Sequence, residues 1–210
     1  MKRQTKQNVP AVLEWLDRTY GVEKETFYHK KHWQLLVAIM LSAQSTDQQV
    51  EEALPALFER FPEAEDAAEA SPEEIEEKIR SIGLYKSKAK NIKKCCTQIV
   101  EQYGGEVPAD LDELVKLAGV GRKTATLFLA DAYGIPGVTV DTHVFRISHR
   151  LGWADGKDPV KTEQELMKVL PKEHWNRINF QLIYHGRSVC TARKAKCREC
   201  GLNARCEKRL

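Results

Sequence analysis

The sequence predicts an all-α protein. Three observations carry this reading: apolar residues recur at three- and four-residue spacing in segment after segment, no run alternates with period two, and the one Asp-Gly pair lacks flanking strand patterns. With 210 residues, 42% hydrophobic and 30% charged, the chain can close a core, and low-complexity and fibrous classes are excluded. No run approaches the roughly 18 apolar residues of a membrane span, and no apolar stretch of signal-peptide length follows the charged N-terminus. A soluble, cytoplasmic protein is therefore expected.

The elements follow in order. Val9, Val12, Leu13 and Leu16 place a helix over 9–20, and Trp33, Leu36, Val37, Met40 and Leu41 place a second. A third, about 47–60, carries Val50, Leu54, Leu57 and Phe58, with Pro55 as a kink and Phe61-Pro62 as its stop. Ser71-Pro72-Glu73-Glu74 has the order N-cap, N1 proline, N3 glutamate and opens a short helix through Arg80. Residues 63–77 hold eight acidic and no basic side chains, which reads as a solvated helical surface. After Gly83-Leu84-Tyr85, a helix from about Lys86 to Tyr103 buries Ala89, Ile92, Cys96, Ile99 and Val100, with Cys95 and Cys96 as small core groups. Asp110, with Glu113 at N3, caps a short helix to Ala118. The turn Gly119-Val120-Gly121 then leads to a helix from Arg122 to Tyr133, so the two form a hairpin. Asp141 caps a helix through about Leu151, and helices near 161–170 and 171–186 precede a cysteine-bearing tail.

Four constellations carry chemistry. Glycines at 119 and 121 allow positive φ and let consecutive N–H groups face a phosphate at the start of the next helix; a plain interhelical turn is the alternative. The pattern is not a nucleotide P-loop, because the four-residue gap before Gly-Lys-Ser/Thr and the preceding strand are absent. Lys123 lies near the positive end of a helix dipole, which together with partial burial disfavours an ammonium and favours a nucleophilic amine; a phosphate contact or surface charge is the alternative. Asp141 is most simply a cap and His143 a packed ring, yet a carboxylate within reach of Lys123 could stabilise a developing cation. Cys190, Cys197, Cys200 and Cys206, spaced C-x6-C-x2-C-x5-C, suit a metal site in a reducing compartment, and four thiolates can hold either tetrahedral zinc or a 4Fe-4S cube. Residues 186–210 carry eight basic and two acidic side chains, and Arg193, Lys194, Lys196 and Arg198 fall inside the ligand loop. Fixed on a metal platform they would serve duplex-backbone binding; solubility is the plain alternative.

With Leu41-Ser42-Ala43-Gln44-Ser45-Thr46-Asp47, the hairpin, Asp141 and the four cysteines in this order, the chain resembles the endonuclease III family of helix-hairpin-helix DNA glycosylases from about residue 10 to Cys206. The resemblance implies a two-lobed fold. Residues 25–135 would form a six-helix domain with the hairpin, and 1–24 with 136–210 a helical domain carrying the iron-sulfur loop, with DNA in the groove between them. It implies that Lys123 is the nucleophile, Asp141 the catalytic carboxylate and the four cysteines the ligands of a 4Fe-4S cluster. Gln44 would enter the space left by an extruded nucleotide and Leu84 would wedge the opposite strand, with Gly119, Gly121, Arg122, His143, Arg193, Lys194 and Lys196 as further DNA contacts. The implied activity is that of a monomeric, DNA-associated bifunctional glycosylase and AP lyase of base excision repair, acting on duplex DNA with oxidised pyrimidines or abasic sites. Its rivals are a monofunctional glycosylase using Asp141 to activate water and a non-catalytic metal-containing DNA-binding module. One departure is visible: the family commonly has proline before Gly-Val-Gly, whereas this chain has Ala118, from which a looser turn is expected.

Overall fold

The structure is a computed structural model that describes residues 8–23, 27 and 29–208. Among these residues there are helices and turns but no strand. The chain divides into two units, one made of Met1–Glu25 with Pro136–Leu210, the other of Thr26–Ile135.

The Thr26–Ile135 unit is built around α2 (His32–Ser42), in which every residue from Trp33 to Leu41 is buried. A helix apolar on all sides needs neighbours on all sides, and α2 packs against α3 (Asp47–Arg60), α6 (Tyr85–Tyr103) and α8 (Arg122–Tyr133). Its polar exception, Gln34, is buried because its Oε1 accepts from the N–H groups of Lys30 (2.8 Å) and Lys31 (3.2 Å) at the helix start. Pro55 lies inside α3, which continues through it. Glu51, whose carbonyl the proline leaves without an intrahelical donor, is exposed, so water can satisfy that group.

Two short helices, α4 (Ala64–Glu69) and α5 (Pro72–Lys78), carry the acidic run and dock on α6 through Ala64, Ala67 and Ile75. Ser71 caps α5 as its sequence predicts: Oγ accepts from Glu74 N (3.3 Å) and Glu74 Oε2 accepts from Ser71 N (2.9 Å). This helix stops at Lys78 rather than Arg80, because Ile79 and Ile82 turn into the core. Cys95 and Cys96 are fully buried in α6, and burial pushes the Cys95 thiol up to about 12, so it is an inert core group. Asp110 caps α7 (Leu111–Leu114), accepting from Asp112 N and Glu113 N. The helix ends four residues before Ala118, and the Glu113 carboxylate does not close a capping box but bonds Tyr103 Oη (2.8 Å) and Lys116 Nζ (2.7 Å).

The other unit contains α1 (Val9–Tyr20), α9 (Thr142–Leu151), α10 (Pro159–Val169) and α11 (Trp175–Ser188). Val12, Leu13 and Leu16 of α1 meet Trp153, Leu166, Ile178, Leu182 and Leu202 in one core. Asp17 fastens α1 to α11 by accepting a two-pronged contact from Arg177 (3.0 and 2.9 Å) and a bond from Gln181 Nε2 (2.9 Å). The single helix expected over 171–186 is instead a 3-10 turn, Lys172–His174, followed by α11.

Because Phe128 of α8 is fully buried, Phe128→Ala should cost about 3–5 kcal/mol. Denaturant unfolding of wild type and variant under identical conditions measures this; a loss under about 1 kcal/mol would show that α8 is not anchored through that ring.

Candidate active site and cysteine cluster

In the Thr26–Ile135 unit, α7 and α8 form the hairpin. Gly119 has φ +76°, and a Cβ added there would lie 2.9 Å from Asn91 Cβ and 3.0 Å from Met40 Cε, so both conformation and space demand glycine. Gly121 does not share this reason, contrary to the expectation that both glycines serve positive φ. It has φ −86° and ψ 169°, and nothing lies within 4 Å of its missing side chain. The Gly121 face is open, leaving the backbone approachable at the start of α8. Arg122 and Lys123 are the first two residues of that helix and both are exposed. The partial burial expected of Lys123 is thus not found: its amine faces solvent, near the positive end of the peptide dipoles.

Two loops of the same unit hold Gln44 and Leu84. Both are exposed, and both adopt left-handed backbone conformations (φ 56° and 60°) that cost an L-residue about 1–2 kcal/mol. The loops touch, since a Cβ on Gly83 would come within 3.1 Å of the Gln44 carbonyl oxygen.

In the other unit Asp141 caps α9: Oδ1 accepts from His143 N and Val144 N, each at 2.8 Å. The incoming strand of chain is held by Asn179 Nδ2, which donates to Thr139 O (3.0 Å), and by Asn176 Oδ1, which accepts from Gly137 N (2.9 Å). These two asparagines of α11 carry no local sequence signal linking them to Asp141. His143 is packed against bare Gly186, where a Cβ would come within 2.3 Å of its Nδ1, and the same nitrogen lies 3.2 Å from Arg146 Nη2.

The α9 helix also grips the cysteine segment. Arg146 Nη2 donates to Cys190 O (3.0 Å), while Arg150 Nη1 donates to Cys190 Sγ (3.2 Å) and to Thr191 O (2.8 Å). Cys190, Cys197, Cys200 and Cys206 are half-buried thiols that line one small cavity walled by Ile147, Leu151, Val189 and Leu202. Among the described residues, no three His, Cys, Asp or Glu side chains converge on one metal ion. Burial raises the Cys200 and Cys206 thiols above their ordinary value. Beside them sits His185, pushed down to about 4 by burial, with Nδ1 3.0 Å from Tyr20 Oη and Nε2 3.7 Å from Cys200 Sγ. A neutral ring that donates from Nε2 to sulfur must accept from tyrosine at Nδ1. Arg193, Lys194, Lys196 and Arg198 are exposed on this loop, which Lys196 N closes by donating to Val189 O (3.0 Å).

The profile of the HhH-GPD superfamily base excision DNA repair proteins matches residues 37–172, more than half of the chain. Endonuclease III of Synechocystis sp. is 47% identical over 202 residues, 96% of this chain and 92% of its own, and that of Bacillus subtilis is 48% identical over 179 residues, 85% and 82%. The chain belongs to the endonuclease III family. A solved structure of a trapped endonuclease III–DNA covalent intermediate is 41% identical, with TM-score 0.88, and covers 97% of this chain and 96% of that one. A non-covalent endonuclease III–DNA complex matches with the same score and identity. Within the endonuclease III family, the departure at Ala118 does not leave the turn without a restraint. Ala118 N donates to Gln98 Oε1 (2.8 Å), a bond that a proline cannot make, and Gln98 Nε2 donates to Lys116 O (3.3 Å).

The two hairpin glycines should separate in a melting experiment. Gly119→Ala is expected to lose about 1–3 kcal/mol through strain and crowding, and Gly121→Ala to stay within about 0.5 kcal/mol of wild type. Equal losses would contradict the distinct reasons given for them.

Proposed function

We propose that this chain is a bifunctional DNA glycosylase and AP lyase of base excision repair. It removes oxidised pyrimidines from duplex DNA and then cleaves the abasic strand. The observation that carries the reading is the exposed amine of Lys123 on the first turn of α8, behind an open glycine face, in a chain alike over nearly its full length to an endonuclease III trapped in covalent linkage with DNA.

Chemistry begins when the damaged nucleotide is flipped out of the stack. The uncharged Lys123 Nζ attacks C1′ of its sugar as the bond to the base breaks; the base leaves with the electron pair and takes a proton. The nitrogen lone pair then opens the sugar ring: the C1′–O4′ bond breaks, O4′ takes a proton from solvent, and an iminium that keeps its one N–H forms between Nζ and C1′. Removing a proton from C2′ sends its electrons toward that iminium and expels the 3′ phosphate, the β-elimination step; water then releases the amine. In the free protein Lys123 is exposed, so a flipped nucleotide can reach it without rearrangement of a covering element. Asp141 commits Oδ1 to the α9 cap, which fixes the carboxyl group and leaves Oδ2 to favour positive character at the sugar. Gln44 and Leu84 enter the duplex and offset part of the unstacking cost. Gly119, Gly121, Arg122, His143, Arg193, Lys194 and Lys196 complete the DNA contacts.

Cys190, Cys197, Cys200 and Cys206 are assigned to a 4Fe-4S cluster. Four half-buried thiols lining one small cavity would hold such a group, and the assignment to iron–sulfur follows the family resemblance. When bound, such a cluster crosslinks the loop, and with all four irons held by protein thiolates it has no position for substrate. The exposed cations of the loop are then presented on a rigid platform to phosphates.

Lys123→Ala should abolish the borohydride-trapped protein–DNA adduct while duplex binding persists. Persistence of the adduct would move the nucleophile elsewhere; base release without any adduct in wild type would favour the monofunctional reading. Asp141→Asn tests charge apart from fold, because asparagine caps a helix as well as aspartate. Single-turnover base release should fall by about a hundredfold or more with Tm nearly unchanged.

The cofactor assignment predicts iron and acid-labile sulfide in equal amounts with visible absorption. Stoichiometric zinc in active protein would replace it.

A further inference from the structure

Lys88 lies in the second turn of α6 and is only 8% exposed. An ammonium so placed needs compensation, and burial alone lowers its proton affinity. Its Nζ donates three hydrogen bonds: to Leu41 O (2.8 Å), Ala43 O (2.6 Å) and Ser45 Oγ (3.0 Å). No carboxylate takes part. All three acceptors belong to the end of α2 and the loop after it, the five-residue stretch that contains Gln44. Three donors spent on three successive odd positions leave the loop little freedom to relax from its left-handed turn at Gln44.

The same lysine is tied to the other strained residue. Lys88 N donates to Leu84 O (3.0 Å), the first helical bond of α6, and Leu84 is the left-handed residue that opens that helix. Between the loops, Gly83 lets the Gln44 carbonyl approach so closely that a Cβ there would lie 3.1 Å from its oxygen, a contact tight enough to push the loops apart slightly. We propose that Lys88 is a positioning residue for base extrusion, its ammonium and backbone holding Gln44 and Leu84 as one rigid pair. This rests on the reading above that both side chains enter the duplex. Strained, exposed residues can act as wedges only if the fold beneath them does not give way, and a buried cation with three short bonds supplies that resistance.

The test is Lys88→Met, which keeps the apolar stem and removes the donors. Single-turnover base release is measured on a fully paired lesion duplex and on the same lesion placed opposite a one-nucleotide gap, where extrusion requires less force. A 2-aminopurine beside the lesion reports unstacking. Release from the paired duplex should fall roughly ten- to hundredfold, with a parallel loss of the fluorescence rise, while the gapped substrate changes less than about twofold. Equal losses on both substrates would mark Lys88 as merely structural and overturn the proposal, as would no loss on either. Ser45→Ala removes one acceptor and carries the same test if Lys88→Met does not fold: the same split between substrates is expected, smaller in size, and its absence overturns the proposal. Gln44→Ala and Leu84→Ala run in parallel. If neither slows the paired substrate, the underlying reading fails and the proposal with it; if both slow it while Lys88→Met and Ser45→Ala do not, the Lys88 assignment alone fails.

Discussion

Complete burial of α2 governs the Thr26–Ile135 unit. A helix with nine consecutive buried residues cannot be shifted along or turned about its axis without exposing apolar surface, so whatever is attached to it inherits a fixed position. Met40 abuts the place where Gly119 turns, α8 with Lys123 packs against the same helix, and the chain leaving α2 runs directly into the loop that carries Gln44. The hairpin and that loop are separate in sequence, yet they share this foundation.

The other unit relies on α9 in a comparable way. Its first turn holds the Asp141 carboxyl group, its middle holds Arg146 and its last turn holds Arg150, and both arginines bind the start of the cysteine segment. Asp141 and the anchorage of the cysteine segment at Cys190 and Thr191 therefore depend on one short helix. The start of the cysteine segment is thus joined to α9 by hydrogen bonds to Cys190 and Thr191.

Lys123 and Asp141 both sit at helix N-termini, and the two termini are built differently. At α9 two of the initial N–H groups, those of His143 and Val144, donate to Asp141, which is thereby oriented. At α8 the N-cap position is Gly121, and no side chain makes a cap hydrogen bond there. Lys123 shares that openness: it is exposed one residue beyond Arg122 on the same first turn.

The helices and their starts were legible in the sequence because each depends on interactions within about four residues. The Ser71 box, the Asp110 and Asp141 caps and the apolar stripes of α1, α2 and α6 are all of that kind. The family pattern also singled out Lys123, Asp141 and the four cysteines. What the tertiary structure alone decided is how these residues are held. The acceptors of Lys88 lie 43 to 47 positions away, Gln98 restrains a turn 20 positions ahead, and Gly119 is required by Met40 and Asn91, which only packing brings near. Even the two hairpin glycines, alike in the sequence, have unlike reasons. Periodicity records which face of a helix is apolar, but which distant atom meets that face depends on all the other helices at once, and no local pattern encodes it.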